Sequence, residues 1–248
     1  MTDRTRTYIL VALATFLSTA IARAQDTLEQ LEKDCFQQEH AYVALGACSR
    51  ILLSTNPDSA QQIRIHERRA RAQLVLFYFA EAAEDFSIVL AAEPDNVSAL
   101  EGRAEAYSED GQYSKAAKDW EHVAKLKGDD VGALIRLGDN LFASGAFPEA
   151  ISAYQRANKI DAKNTAALIG LARAFDMTGE RQKSDEAIAE ALKIKPDHVP
   201  ALMARGEIAE RRGDTALAIE SYKLSLKANG MQVKPRHALQ RLGVETPP

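Results

Sequence analysis

Small and large apolar residues recur along residues 63–232 with a period of 34 residues, and no insertion or deletion interrupts them. The eighth and twentieth positions are small, and the twenty-fourth is large. The eighth position reads Ala70, Ala104, Gly138, Ala172 and Gly206; the twentieth reads Ala82, Ala116, Ala150, Ser184 and Ala218; the twenty-fourth reads Phe86, Trp120, Tyr154, Ile188 and Tyr222. Antiparallel helices approach closely where small side chains face each other, and a bulky neighbour fills the remaining gap. The pattern therefore predicts five consecutive helix pairs.

Turn residues mark where the first helix of each pair ends. Glycine, which tolerates the left-handed conformation of a helix end, occupies the fifteenth position in four periods. These glycines are Gly111, Gly145, Gly179 and Gly213. In the first period Phe77 takes this position, and polar residues stand at three positions expected to be apolar, namely His66, Arg69 and Gln73. We therefore expect the first helix of this period to be longer or to pack differently.

These positions together resemble the tetratricopeptide repeat, in which each helix pair buries its apolar face by stacking on its neighbours. The third period is the best copy. The resemblance implies an all-α fold, a right-handed α-solenoid of stacked antiparallel helix pairs. Its five repeats would span 63–96, 97–130, 131–164, 165–198 and 199–232.

Two further segments flank the repeats. Residues 25–62 are predicted to form a capping helical hairpin, with one helix around Leu28 to Cys35, a turn at Ala41 and Tyr42, and a second helix over 42–53. Residues 233–248 are predicted to form a C-terminal capping helix and a tail. Such terminal caps keep a repeat array soluble.

The chain contains only two cysteines, Cys35 and Cys48, placed almost symmetrically about the predicted turn of the hairpin. In an oxidising compartment such a pair is most simply a disulfide, which would stabilise the fold by about 3 kcal/mol. The alternative is a redox-active pair, although that role usually needs closer spacing and a stabilised thiolate. The hairpin is similar to the opening of many bacterial envelope proteins of the repeat family.

The N-terminus has the features of a secretory signal peptide. Arg4 and Arg6 precede an apolar run over residues 8–17, and Ala22 and Ala24 provide small residues for cleavage after Ala24. We expect residues 1–24 to be removed and the protein to be periplasmic or secreted, without stable membrane insertion. The alternative is an uncleaved anchor, but the apolar stretch falls short of the roughly 20 residues that span a bilayer.

Charge and residue chemistry argue against several functions. Residues 1–24 contain three arginines and one aspartate, so their removal changes the formal net charge from −4 to −6, whereas nucleic-acid binding requires a basic excess. The five histidines lack metal-ligand spacing, and we find no phosphate-binding loop or nucleophile motif. Carboxylate clusters such as Glu81, Glu84 and Asp85 are interpreted as solvated helix faces. We predict no enzymatic activity, no metal and no cofactor.

The resemblance also implies a binding groove, because in this family the first helices line a concave surface. The candidate groove residues are Glu101, Glu105, Glu109, Ile135, Asp139, Phe142, Ile169, Arg173, Asp176, Met177, Met203, Glu207 and Glu210. Their apolar members form a row flanked by acids, which suits an apolar peptide or helix with basic flanks. An interface on the convex face or an edge is the alternative.

These observations lead to three functional hypotheses. The first is a protein–protein interaction module, an adaptor or assembly factor that binds a peptide or helix of envelope proteins. The second is a thiol-redox factor that uses Cys35 and Cys48. The third is a structural solenoid that self-associates into a homo-oligomer.

Overall fold

The regular structure of this protein is helical throughout the part that the computed structural model describes, residues 27–37, 39–54, 59–229 and 233–245. The predicted signal peptide lies outside these residues, as do Asn56 and Pro57, which the sequence predicts to end the second helix of the hairpin. Thirteen helices occur within the described ranges. They are α1 (27–36), α2 (Ala41–Ser54), α3 (Ser59–Val75), α4 (Phe79–Ala92), α5 (Val97–Glu109), α6 (Tyr113–Leu126), α7 (Val131–Ala143), α8 (Phe147–Ile160), α9 (Thr165–Met177), α10 (Arg181–Ile194), α11 (Val199–Arg211), α12 (Thr215–Ala228) and α13 (Val233–Arg241).

Local capping explains why the first helices of repeats two to four begin where they do. Asn96, Asp130 and Asn164 each stand one residue before a helix, and each side chain accepts a hydrogen bond from a backbone amide of the first turn. Each of these helices has 13 residues. The turn that follows is left-handed at the predicted glycines, with φ of 74° at Gly111 and 82° at Gly145. The predicted helix ends are therefore confirmed at these turns.

The chain divides into two compact units, one comprising the chain up to Asp110 and the other the chain from Gly111. The N-terminal unit contains α1 to α5, and the C-terminal unit contains α6 to α13. The division falls inside predicted repeat two, between its two helices.

The hairpin at the start of the N-terminal unit has its turn earlier than the sequence predicts. Gln37 bridges this turn, since its side chain accepts a hydrogen bond from the His40 amide at 2.8 Å and α2 already begins at Ala41. The placement of the turn at Ala41 and Tyr42 was therefore wrong. The cysteine sulfur atoms lie 2.11 Å apart, within a core cluster that includes Ile51.

The third helix differs from the other first helices of the repeats. It has 17 residues and begins at Ser59, one helical turn before the predicted start of repeat one at residue 63. The expected longer helix is therefore present, and the predicted boundary at residue 62 lies inside α3. Its first half extends towards the hairpin, where Ile65 joins the core cluster around Cys35 and Cys48.

A buried charge network explains the polar residues of repeat one. Asp85 on α4 is only 3% exposed, so its interpretation as part of a solvated face was wrong. Arg69 donates two hydrogen bonds of 2.7 Å to its carboxylate, and His66 Nδ1 lies 2.8 Å from Oδ1. With its amide oriented to donate, Gln73 lies 3.0 Å from Oδ2. The three polar residues of α3 thus meet a polar partner on α4.

In the C-terminal unit, the ring of Tyr154 packs between two glycines, Gly138 and Gly170. A Cβ atom built on Gly138 would lie 2.5 Å from the Tyr154 ring, and one built on Gly170 would lie 2.4 Å from it. The ring therefore fills the space between α7 and α9, as the alternation of small and large positions predicts. At the end of this unit, α13 packs on α12, and Leu239 joins the core around Tyr222. Within the described residues, none of the helices has the length and hydropathy needed to cross a membrane.

Candidate binding groove

The candidate groove residues lie on the first helices of repeats two to five. Three of them, Glu101, Glu105 and Glu109, lie on α5 in the N-terminal unit, and the other ten lie on α7, α9 and α11 in the C-terminal unit. In the C-terminal unit α7 contacts α9, and α9 contacts α11. These three helices therefore form a continuous surface.

A cavity of about 410 Å³ opens between α7 and α9. Its lining includes five of the candidate residues, which are Ile135, Asp139, Phe142, Ile169 and Arg173. The other lining residues are Tyr154, Ala166, Gly170 and Pro200. None of these four was predicted from the sequence to line the groove. The repeat spacing thus located part of a pocket, and helix packing supplied the rest.

The polar side of this pocket is built around Asp139. Tyr154 donates a hydrogen bond of 2.7 Å to Asp139 Oδ1. The surrounding pocket walls desolvate the carboxyl and raise the pKa of Asp139, although the Tyr154 hydroxyl and the charges of Arg173 and Arg136 act in the opposite direction. Burial and the neighbouring carboxylate also raise the pKa of Tyr154 above its ordinary value. The pocket therefore presents a hydrogen-bonded carboxyl group beside apolar walls.

Tyr154 was identified in the sequence only as a packing residue. Its position in the repeat requires a large side chain, and that requirement is satisfied by the ring between Gly138 and Gly170. The role of its hydroxyl depends on the approach of α8 to α7. The available signal was a tyrosine at the position where repeats one, two and four carry Phe86, Trp120 and Ile188.

Several predicted acidic flanks are neutralised by arginines. Glu207 pairs with Arg173 at 2.9 Å. Asp176, whose side chain is 5% exposed, pairs with Arg211 at 2.7 Å and with Arg212 at 2.6 Å. The prediction of an open acidic flank was therefore wrong at Asp176. Residues one period apart lie side by side in stacked repeats, so opposite charges 34 to 36 residues apart were the missed signal.

Glu210 is also engaged within the protein. Arg241 on α13 approaches it to 2.8 Å, and the Tyr222 hydroxyl donates a hydrogen bond of 2.9 Å to it. Burial opposes the charged form, but these hydrogen bonds outweigh burial and lower the pKa of Glu210. Glu210 therefore stabilises the contact between the last repeat and α13.

The predicted apolar row is divided between the core and the surface. Ile169 is buried, and Met203 packs against the core around Tyr222. Phe142 is half-buried and makes an edge-to-face contact with Phe147, whose ring centroid lies 5.2 Å away. Met177 remains 41% exposed. Of this row, Ile169 is thus buried, Met177 is exposed, and Ile135, Phe142 and Met203 are half-buried.

The acids of α5 form a separate feature in the N-terminal unit. Glu101, Glu105 and Glu109 follow one another at intervals of four residues, which places them on one face of the helix. Glu101 is half-buried, whereas Glu105 and Glu109 are exposed. This face therefore carries exposed negative charge at Glu105 and Glu109.

The cysteine pair lies in a different environment. Both side chains are fully buried, at 0% exposure, in the hairpin core. Thiol exchange requires access of an attacking thiolate to a sulfur atom. This burial disfavours the redox hypothesis for Cys35 and Cys48.

The helix pairs repeat along the chain, and a pocket lies between the first helices of neighbouring repeats. These features place the protein in the class of helical repeat proteins. Tetratricopeptide-repeat models match residues 68–130, 107–167 and 141–208. The chain belongs to the tetratricopeptide-repeat family, and the predicted fold class of stacked antiparallel helix pairs is confirmed. In general function, the protein is therefore a protein–protein interaction module.

Solved structures of other repeat proteins are similar to this chain. A crystal structure of MamA matches with a TM-score of 0.58 and 23% identity, covering 76% of this chain and 100% of MamA. YrrB, described as a TPR protein with an unusual peptide-binding site, matches with a TM-score of 0.56 and 15% identity, covering 79% and 100%. A tetratricopeptide repeat protein from Parabacteroides merdae matches with a TM-score of 0.60 and 14% identity, covering 88% and 99%. At these identities the likeness shows the fold. No curated protein sequence matches the chain.

Proposed function

We propose that this protein is a periplasmic or secreted adaptor or assembly factor, which holds a segment of an envelope protein in the groove of its C-terminal unit. The observation that carries the proposal is the cavity of about 410 Å³ between α7 and α9, where Ile135 and Phe142 lie beside the hydrogen-bonded Asp139. A binding site of this kind combines apolar walls with a few placed polar groups.

The chemistry of the pocket favours one kind of ligand. An apolar side chain of the partner would enter between Ile135 and Phe142. A backbone amide or a basic side chain beside it would donate to Asp139. Because Asp176 and Glu207 are paired with arginines, Asp139 is the acid that would select for a donor at this pocket. YrrB, with its unusual peptide-binding site, supports this proposal by analogy of fold.

Site-specific photocrosslinking in intact cells tests the groove. A photoreactive phenylalanine at position 142 should capture a partner, and the same residue at Lys223, exposed on α12, serves as the matched control. Adding Ile135→Arg should abolish capture at position 142, because the guanidinium would occupy the apolar entrance. Equal capture at both positions, or capture that survives Ile135→Arg, would contradict the proposed site.

The proposed location rests on the N-terminal sequence and on the cysteine pair. The chain carries an even pair of cysteines across one hairpin, and such pairs form lasting disulfides in oxidising compartments. Cell fractionation with mass spectrometry of the purified protein tests the location. We expect a periplasmic protein whose sequence begins at Gln25. A cytosolic protein that retains residues 1–24 would contradict it.

A further inference from the structure

A second cavity, of about 610 Å³, lies in the C-terminal unit between α6 and α8. Leu137 and Leu141 of α7 form its floor, whereas Ile135 and Asp139 of the same helix line the first cavity. Residues two apart on an α-helix point about 200° apart, so the two cavities lie on opposite sides of α7. We call the second cavity the α6/α8 groove.

The corresponding positions one repeat later carry larger side chains. Ala117 in the wall of the α6/α8 groove corresponds, 34 residues on, to Ile151, and Leu141 corresponds to Phe175. Ile151 and Phe175 belong to one buried core cluster, and Lys183 lies over the Phe175 ring at 5.4 Å. At these two positions the α6/α8 groove therefore carries smaller side chains than the next repeat does.

The geometry of the groove suits a helix. Its lining on α6 runs from Ser114 to Lys125, a length of about 16 Å at 1.5 Å per residue, which equals roughly three helical turns. The backbone groups of α6, α7 and α8 are bonded within those helices, so an extended segment would bury its own amides without partners. A helix enters with its backbone already satisfied.

The charges along the two edges differ. Lys118 and Lys125, both exposed, lie two turns apart along the α6 edge. Glu121 between them is bonded to Arg156 across the groove at 2.9 Å and lies 3.4 Å from Lys125. Glu149 lines the α8 edge towards the start of that helix. A bound helix would thus meet positive charge along α6 and negative charge at Glu149.

We propose that the α6/α8 groove binds an amphipathic helix of a partner protein. The apolar stripe of this helix covers the half-buried Leu141 and the apolar floor of the groove beside it. Its edge facing α6 carries carboxylates for Lys118 and Lys125. A lysine or arginine on its other edge meets Glu149.

Selection from displayed 14-residue helical peptides tests the proposal on the full chain. Peptides selected on the unsubstituted protein should show an apolar stripe with an acidic edge. The double variant Ala117→Ile/Leu141→Phe introduces the larger residues of the next repeat, and we call it the filled variant. We expect it to weaken binding of the selected peptides at least about tenfold in fluorescence polarisation. Lys223→Ala, on the exposed surface of α12 and outside both cavities, serves as the control and should leave binding unchanged. Equal binding by the filled variant would overturn the proposal, as would a selection without such peptides.

A second variant, with substitutions only at exposed positions, tests the same proposal if the filled variant does not fold. Lys118→Glu/Lys125→Glu changes two exposed side chains, so we expect unchanged helical content and a preference for basic in place of acidic peptides. An unchanged charge preference would overturn the proposal. Sedimentation at several concentrations tests the competing occupant. If the chain self-associates through this groove and the filled variant abolishes that association, the occupant is a second copy and the partner helix is refuted.

Discussion

At the scale of single residues, Phe77 marks a departure from the repeat pattern. It takes the turn position that glycine holds in the other four repeats and has a φ of 63°. The left-handed conformation costs a residue with a Cβ roughly 1–2 kcal/mol. The side chain is 77% exposed, so burial contributes little in return. Its ring lies edge-to-face to the Phe79 ring, with the two centroids 6.0 Å apart. Repeat one therefore carries local strain at its turn.

We expect Phe77→Gly to stabilise the protein. Relief of strain should exceed the loss of the Phe79 contact and the added entropy of the unfolded chain, for a net gain of about 0.5–1 kcal/mol. Thermal unfolding followed by circular dichroism would measure the change. Gly145→Ala places a Cβ in the same conformation and should lower the melting temperature. A lower melting temperature for Phe77→Gly would refute the strain.

The buried Asp85 should be essential for stability. Asp85→Asn removes the charge that Arg69 and His66 face between α3 and α4, and we expect it to lower the free energy of unfolding by about 3 kcal/mol. Urea denaturation measures this loss. Glu84→Gln, an exposed acid on the same helix, is the matched control and should change little.

The contribution of Asp85 should also depend on pH. Burial opposes its charged form, but hydrogen bonds from Arg69 and His66 outweigh burial and lower the pKa of Asp85. Its stabilisation is therefore fully present above the unfolded pKa of about 4 and is lost as the pH falls through the folded value. The difference between the unsubstituted protein and Asp85→Asn should shrink in acid. A difference that stays constant to pH 3 would argue against this linkage.

Peptide binding in the proposed groove should depend on the ionisation of Asp139. Because its pKa is raised, affinity for a peptide with a basic residue should fall as the pH drops from 7 through a value above the ordinary carboxyl range of about 4. Tyr154→Phe removes a hydrogen bond that favours the carboxylate, so it should move this transition to higher pH. Titration of affinity against pH measures both. Asp139→Asn should abolish the dependence, and its persistence would exclude Asp139 as the group involved.

At the scale of helices, the packing of rings between glycines is the strictest constraint. Gly170→Ala would place a methyl group 2.4 Å from the Tyr154 ring, which Gly138 confines from the other side. We expect a loss of about 1–3 kcal/mol from overpacking. Thermal unfolding measures it, and Tyr154→Leu combined with Gly170→Ala should recover part of it. Gly46→Ala, in open space on α2, should be neutral or stabilising. Equal effects of the two alanines would contradict the packing argument.

The helices were largely predictable, whereas their polar contacts were not. The start of α5 is set by the capping side chain of Asn96, and its end by Gly111, both local signals. The pairing of Asp176 with Arg211 and Arg212 depends instead on how closely α9 and α11 stack. For that reason Asp176, which the sequence predicts on the flank of the groove, is instead buried in ion pairs with the next repeat.

At the scale of the whole molecule, the cysteine pair should contribute to the stability of the hairpin. If Cys35 and Cys48 form a disulfide in the protein, Cys35→Ser/Cys48→Ser should lower the free energy of unfolding by about 3 kcal/mol. Urea denaturation with and without reductant measures the effect, and the reduced protein should match the double variant. An unchanged midpoint in reductant would show that the bond does not form.

The sequence by itself determined the repeat and its helix pairs, because the alternation of small and large residues and the turn glycines act within a few residues of one another. Tertiary structure decided the burial of Asp85, the role of the Tyr154 hydroxyl and the two cavities on α7. These features depend on which faces of separate helices come within about 3 Å of each other, the range of a hydrogen bond. A periodic sequence specifies that neighbouring repeats stack. The cavities and buried polar contacts between the stacked helices depend on the individual side chains of each repeat.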